Sequence, residues 1–199
     1  MVNRHLYIEG GGDSKPQLTL CRKNFRRLLE KAGFAGKMPG LTASGSRNSA
    51  FDDFKTKHKQ SRSDDYIAML IDSEDPLDDI EKTWKHLKKR DNWDQPAGTT
   101  DDQVLFMTTC METWIAADRA TLKSHYGQCL QDSALPPLDN LENRHRHDVQ
   151  DKLSHATRDC SNAYAKGKRS FEVLAILDFE PLMKLPSFAR MVRILKEKL

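Results

Sequence analysis

The chain has 199 residues, 38% of them hydrophobic and 31% charged, with a formal net charge of +3 and four cysteines. That length supports one main core rather than two full enzyme domains, the charge is too small to mark a nucleic-acid binder by itself, and the longest apolar runs, around 66–71 and 104–107, fall far short of the roughly 20 residues needed to cross a bilayer. With no apolar leader at its start the protein is expected in the cytoplasm, and Cys21, Cys110, Cys129 and Cys160, which make no Cys-x-x-Cys pair, are expected to be reduced structural thiols.

Residues 6–8 are apolar and β-prone, and they run into Glu9-Gly10-Gly11-Gly12-Asp13, which predicts a strand and its terminal turn. Over 16–32, Leu18, Cys21, Phe25, Leu28 and Leu29 recur at helical spacing, giving an amphipathic helix that stops near Gly33. Residues 41–43 predict a second strand, followed by a turn at 44–48 and a helix from about Ser49 with Phe51 and Phe54 on one side. The continuous apolar run 66–71 has the length of a strand buried on both faces. It ends in Asp72-Ser73-Glu74-Asp75, and Pro76 then predicts the start of a helix carrying Leu77, Ile80, Trp84 and Leu87, capped by Asp75. A fourth strand is expected at 104–107 and a helix over 111–123. Beyond Gly127 the pattern predicts a polar helix over 140–165, a further element at 171–177, and a final helix from Ser187.

Alternation of buried strands with helices predicts an α/β fold with a mostly parallel sheet flanked by helices. Residues 1–126 form its core, and 127–199 form a helical cap or side layer on or beside it. In that last region Phe188, Met191, Val192 and Leu195 share one helix face, which either packs on the chain's own sheet or docks a partner. Trp84 and Trp114 are expected in the core.

Ligands of open α/β sheets bind where strands deliver their carboxyl ends. The first strand delivers Glu9, the third delivers Asp72 and Glu74, and the helix after the fourth opens near Glu112. Carboxylates brought together repel unless a cation compensates them, and hard oxygen donors suit Mg²⁺ or Mn²⁺. The surrounding charge is uneven: residues 64–81 hold eight acids and no Lys or Arg, whereas 141–199 hold twelve basic residues against eight acids. An acidic centre beside a basic flank fits a metal-dependent enzyme acting on a polyanion, and Arg144, Arg146, Lys152 and Arg158 with Lys166, Lys168 and Arg169 form either a phosphate-tracking surface or a solvated face. Helix capping accounts equally for Asp75, Asp78 and Asp79. His147, Asp151 and His155 fall at i, i+4 and i+8, a stripe that fits zinc or proton transfer as well as a solvated face.

Two of these segments resemble the topoisomerase/primase (TOPRIM) domain, which has a Glu and a glycine-containing turn after its first strand and an Asp-x-Asp after its third. Residues 6–13 resemble the first, and Ile71-Asp72-Ser73-Glu74-Asp75 the second, with Glu74 where Asp is usual, so that either Glu74 or Asp75 completes the pair. Together with Ser44-Gly45-Ser46-Arg47-Asn48, residues 111–118 and Leu185-Pro186-Ser187-Phe188, they resemble the bacterial group called domain of unknown function 4276, and more distantly the TOPRIM nucleases of the overcoming-lysogenization-defect family.

The resemblance implies a Mg²⁺- or Mn²⁺-dependent nuclease acting on DNA or RNA. It would be the effector subunit of an anti-phage system with an ATPase (ABC/SMC-like or AAA-type) encoded nearby, with no membrane association and a possible homo-oligomer. Glu9, Asp72 and Glu74 would be catalytic; Glu9, Asp72, Glu74, Asp75 and Glu112 would hold one or two cations. Asp13, Lys15, Ser46, Arg47, Lys168 and Arg169 would contact phosphate or nucleic acid. A non-cleaving TOPRIM-like subunit that binds a nucleotide or nucleic acid and regulates its ATPase is the alternative, and a phosphatase of small nucleotides is a third.

Overall fold

In the computed structural model, which describes residues 2–199, strands β1 (Arg4–Glu9), β2 (Gly40–Gly45), β3 (Tyr66–Asp72) and β4 (Val104–Met107) form one parallel sheet ordered β2-β1-β3-β4. The α/β class expected from the alternating pattern is what the chain adopts. Helices α1 (Lys15–Leu29), α2 (Arg47–Lys59) and α3 (Thr83–Asp91) lie in the three crossovers, and α4 (Met111–Ala117) and α5 (Arg119–Tyr126) follow β4. The remainder contains α6 (Arg146–Thr157), α7 (Lys168–Leu174), α8 (Phe179–Leu182) and α9 (Pro186–Lys198). No helix among the described residues is long and apolar enough to cross a membrane.

The apolar run of β3 is continuous because both sheet faces are covered. Ile67, Met69 and Ile71 join Val104 and Phe106 under α2 and α3, with Phe54, Trp84 and Leu87. Ala68 and Leu70 point the other way and join Leu6, Ile8, Leu105 and Met107 in the larger core with Phe25, Trp114 and Phe188. The C-terminal helices belong to this second core. Phe188, Met191, Val192, Ile194 and Leu195 of α9 are all within 1% of full burial, and each such side chain contributes roughly 1.5–3 kcal/mol. The α9 face therefore packs on its own sheet, which leaves it no free surface for a partner. Arg190 fastens α9 at the start of β4 by donating to the carbonyls of Val104 and Asp101, both at 3.0 Å.

The crossover between β3 and β4 departs from the expected one. Residues 76–82 are not helical; they run back along the sheet, and α3 begins only at Thr83. Its cap comes from far along the chain, since Asp101 Oδ1 accepts from the Trp84 N–H at 2.9 Å and the Thr83 hydroxyl at 3.0 Å. Asp101 lies just before β4, whereas Arg90 near the helix end donates to Asp75 just after β3. So α3 runs parallel to the strands and brings its last turn to their carboxyl ends. The helix expected over 111–123 is split at Asp118, whose buried carboxylate accepts from Thr121 N at 3.0 Å and from Asp178 N at 2.7 Å. The one expected over 140–165 shrinks to α6, and Leu141–Asn143 is a separate short turn.

Two cysteines are not free thiols. Cys129 and Cys160 form a disulfide with Cα atoms 5.3 Å apart, while Cys21 and Cys110 are free and buried. Spacing alone does not show the pairing, because 31 residues separate the two and they meet only after α6 has folded back. Burial raises the thiols of Cys21 (to about 12) and Cys110, and both remain protonated and inert at neutral pH.

Gly11 packs the first loop onto α1: its φ is +92°, and a Cβ there would stand 2.9 Å from the Leu18 Cα. Gly36 also has positive φ but has open space around it. Both Gly→Ala variants should lose about 1 kcal/mol to backbone strain, and Gly11→Ala should lose at least about 1 kcal/mol more through overpacking. Urea midpoints would show the difference, and equal losses would mean the loop can move away from α1. Replacing Cys129 and Cys160 by Ser should remove about 3–4 kcal/mol, and thiol counting under denaturing, non-reducing conditions should find two free cysteines in the wild type.

Candidate functional site

In this strand order the chain moves from β1 outward to β2, returns to β3 and continues to β4, so the crevice between β1 and β3 is the switch point at which α/β sheets bind ligands. Glu9 is the last residue of β1 and Asp72 the last of β3. Glu9 curls over the neighbouring strand end, and its Oε2 accepts from the Asp72 N–H at 3.0 Å. Asp72 Oδ1 accepts from the Met111 N–H at 2.9 Å, at the first residue of α4. Glu74 follows in a left-handed backbone conformation (φ 70°) with its N–H bonded to the Thr109 carbonyl at 2.8 Å. For a non-glycine residue that conformation is uncommon and is held by its surroundings. One oxygen from each of Glu9, Asp72 and Glu74 lies within 4.8 Å of the others.

Three arginines surround these acids. Arg47, at the start of α2, lies 3.8 Å from Glu9 Oε2, donates to the Asp72 carbonyl, and is anchored by Asp91 Oδ2 at 2.8 Å. Its guanidinium also sits 5.1 Å from the Trp93 ring centre, a cation–π geometry that favours a fixed orientation. Arg90 approaches Glu74 at 3.4 Å while binding Asp75 at 3.0 Å and Asp91. Arg146 of α6 pairs with the same Glu74 oxygen.

Compensation by these cations is incomplete. Burial raises the Glu9 carboxyl above its usual range despite the opposing pull of Arg47. Asp72 is raised well above, first by burial and then by repulsion from Glu9 and Glu112. A divalent cation among the three oxygens would relieve both effects, and carboxylate donors suit Mg²⁺ or Mn²⁺, so the residues present fit such an ion.

A cleft of about 350 Å³ opens beside the acids. Glu9, Asp72 and Glu112 line it together with the backbone at Gly10–Gly12 and Gly45, Phe171 and Lys166. Glu112 is 3% exposed, accepts from the Tyr164 hydroxyl and from Gln150 Nε2 at 3.2 Å, and lies behind Asp72 outside the three-acid group. Asp75 faces outward onto Arg90. Asp13 is exposed, and Ser14 rather than Asp13 caps α1. Lys15 lies on a different groove, Ser46 caps α2 by accepting from Ser49 N at 3.1 Å, and Arg47 turns toward the acids. Lys168 pairs with Glu172 at 3.9 Å, and Arg169 donates to the Ala163 carbonyl at 2.7 Å. His147, Asp151 and His155 are exposed and join no metal-holding group among the described residues.

Arg90, Asp91, Gln150 and Tyr164 are the contributors that sequence reasoning did not find, and of the expected basic surface Arg146 pairs with Glu74 while Lys166 lines the cleft. The available signal for Arg90 and Asp91 was a charged pair at a helix end, indistinguishable from a solvated surface while the helix direction was unknown. Lys166, beside Gly167 in a turn, is the basic cleft residue in the stretch where Lys168 and Arg169 were expected.

Asp72 is raised in the folded state, so its stabilising contribution is complete below the ordinary carboxylate pKa of about 4 and is lost as pH rises through the folded value. Asp72→Asn should therefore match wild type near pH 4 and melt higher by a few degrees near pH 7 without divalent ions. Adding Mn²⁺ should raise the wild-type melting temperature and leave Asp72→Asn unmoved. A variant that melts lower than wild type at pH 7 would make the carboxylate a structural group.

Comparison with curated proteins and with solved structures finds no match to this chain. A family model does match, described as Domain of unknown function (DUF4276), and it spans residues 8–196, from the end of β1 through α9. The matched span contains all three acids, the arginines around them and the cleft, and the chain belongs to the DUF4276 family.

Proposed function

We propose that the chain is a Mg²⁺- or Mn²⁺-dependent nuclease of TOPRIM type, acting on DNA or RNA as the effector of an anti-phage system that includes an ABC/SMC-like or AAA-type ATPase. The observation that carries this reading is the meeting of Glu9, Asp72 and Glu74 within 4.8 Å at the switch point of a parallel sheet, beside a cleft that contains glycine backbone and a lysine. The resemblance to TOPRIM proteins supplies the substrate class and the partner.

Glu9, Asp72 and Glu74 would hold the cation, which when bound would polarise a phosphate oxygen and lower the pKa of a water. Arg47 keeps Glu9 oriented through its anchor on Asp91. Met111 N–H fixes the Asp72 carboxylate, leaving its second oxygen to face the acids. Backbone without side chains at Gly10–Gly12 admits a phosphodiester closely, and Lys166, which has no ion-pair partner among the described residues, neutralises part of its charge. Tyr164 and Gln150 hold the Glu112 side chain in place beside Asp72.

A second reading, a subunit that binds nucleic acid or nucleotide without cutting, is favoured by one feature. Glu74 Oε2 is engaged by both Arg90 and Arg146, so this acid is already neutralised without a metal. Cleavage assays on DNA, RNA and mononucleotides with Mn²⁺, with and without the neighbouring ATPase, separate the readings. Glu9→Gln and Asp72→Asn should reduce polymer cleavage about 100-fold or more. Binding without cleavage even when the ATPase is present would favour the regulator, and activity confined to mononucleotides would favour a phosphatase.

A further inference from the structure

Between Lys15 and Leu29 the first helix carries five basic residues and no acid. With 3.6 residues per turn, Lys15, Arg22 and Arg26 fall near one line along the helix beside the face buried through Phe25 and Leu29, and Lys23 and Arg27 lie farther round on the exposed side. Arg26 pairs with Glu30 at 3.0 Å, and the other four have no ion-pair partner among the described residues. The basic C-terminal third is different. There Arg144 and Lys152 share Asp148, Lys168 meets Glu172, and Arg193 meets Glu81 and Glu197. Among the described residues, four unpaired cations thus lie within residues 15–27 on one helix, whereas the unpaired ones of the C-terminal third, Lys166, Arg169, Lys184 and Lys196, are scattered over residues 166–196.

A groove of about 280 Å³ runs between this helix face and β2, lined by Lys15, Leu18, Thr19, Arg22, Thr42 and Ala43. Leu18 is its inner wall and also packs at Gly11 and Gly45, two of the glycines that line the acidic cleft. Groove and cleft therefore open on two sides of one glycine junction. We infer that the α1–β2 groove is the track along which a nucleic-acid backbone reaches the acids, crossing at Gly12 and Gly45. This rests on the nuclease reading for the identity of the polyanion. Unpaired cations are the ones that gain from phosphate, because they displace condensed counterions without first breaking a pair. From Lys15 to Arg26 the helix spans about 16 Å, the axial rise of roughly five nucleotides of a duplex strand. A membrane surface is the poorer occupant, since interfacial helices add large apolar side chains beside their cations and the exposed large hydrophobics Val2, Leu138 and Ile176 lie elsewhere.

The test is binding of a short labelled DNA or RNA strand in EDTA, where no cleavage occurs, across a salt series. Compared with wild type, the combined variant Lys15→Ala, Arg22→Ala, Lys23→Ala should bind at least about tenfold more weakly and lower the log–log salt slope by about two to three. A control variant, Lys152→Ala, Lys168→Ala, Arg193→Ala, should change affinity by less than about threefold. Replacing Lys15 by Arg and Arg22 by Lys should keep most of the binding, which separates charge from folding. Unchanged binding by the α1 variant, an equal loss in the control, or wild-type binding to anionic vesicles or acidic peptides instead of nucleic acid would overturn the track. Because the readout is metal-free binding, loss of the track leaves the cleavage assay intact, and intact binding without cleavage refutes the nuclease reading alone.

Discussion

Three carboxylates share the end of one crevice, and much of the local architecture can be understood as a response to their mutual repulsion. Like charges this close, in partial burial, raise one another's pKa or draw in cations, and here both happen: Glu9 and Asp72 are raised while Arg47, Arg90 and Arg146 close around them. The arginines come from three different helices. Positioning them requires α2 to start immediately after β2, α3 to end at the strand tips, and α6 to fold back from the C-terminal region. The site and the tertiary fold are therefore one electrostatic problem, and the C-terminal helices are needed for it even though none of the three acids lies on them.

Close backbone contact is the second constraint. Gly10 and Gly45 exchange hydrogen bonds at 2.8 and 3.1 Å, tying the loop after β1 to the end of β2. A side chain at Gly45 would meet the Gly12 carbonyl at 2.6 Å. The glycine run is thus first a packing device that lets two loops touch, and its bare backbone beside the acids follows from that. This also explains why one short segment supplies both a rigid floor and an approach for a ligand.

The strand ends were legible in the sequence because burial on both faces leaves a mark that survives without context: the apolar run of β3 stops where Asp72 begins, and β1 stops at Glu9. Their adjacency followed from the handedness and order rules of parallel sheets. The direction of α3 was not legible. Pro76 after Asp75 is a valid local start signal, but Asp101 supplies a better cap from 17 residues beyond Trp84, and tertiary bonding prevailed. Once the helix moved, Arg90 and Asp91 became site residues. The disulfide, the break at Asp118 and the roles of Tyr164 and Gln150 likewise rest on contacts between segments distant in sequence, and residue spacing carries no trace of them. Charge counting along the chain pointed to the C-terminal third as the basic surface, because a one-dimensional count cannot show that most of those cations are already paired.

The reversed course of α3 also shapes the field at the sheet end. In an ordinary crossover every helix after a strand begins at the carboxyl edge and turns its positive pole toward a bound anion; α2 and α4 do so here, through Arg47 and the Met111 N–H. The parallel course of α3 places a negative pole among them, and Lys88, Lys89 and Arg90 fill its last turn. The pole adds to the negative potential of the acids, while the side chains of that turn screen it on the outside. One inverted helix thus sets a negative pole at the centre of this edge of the sheet and a belt of cations at its rim.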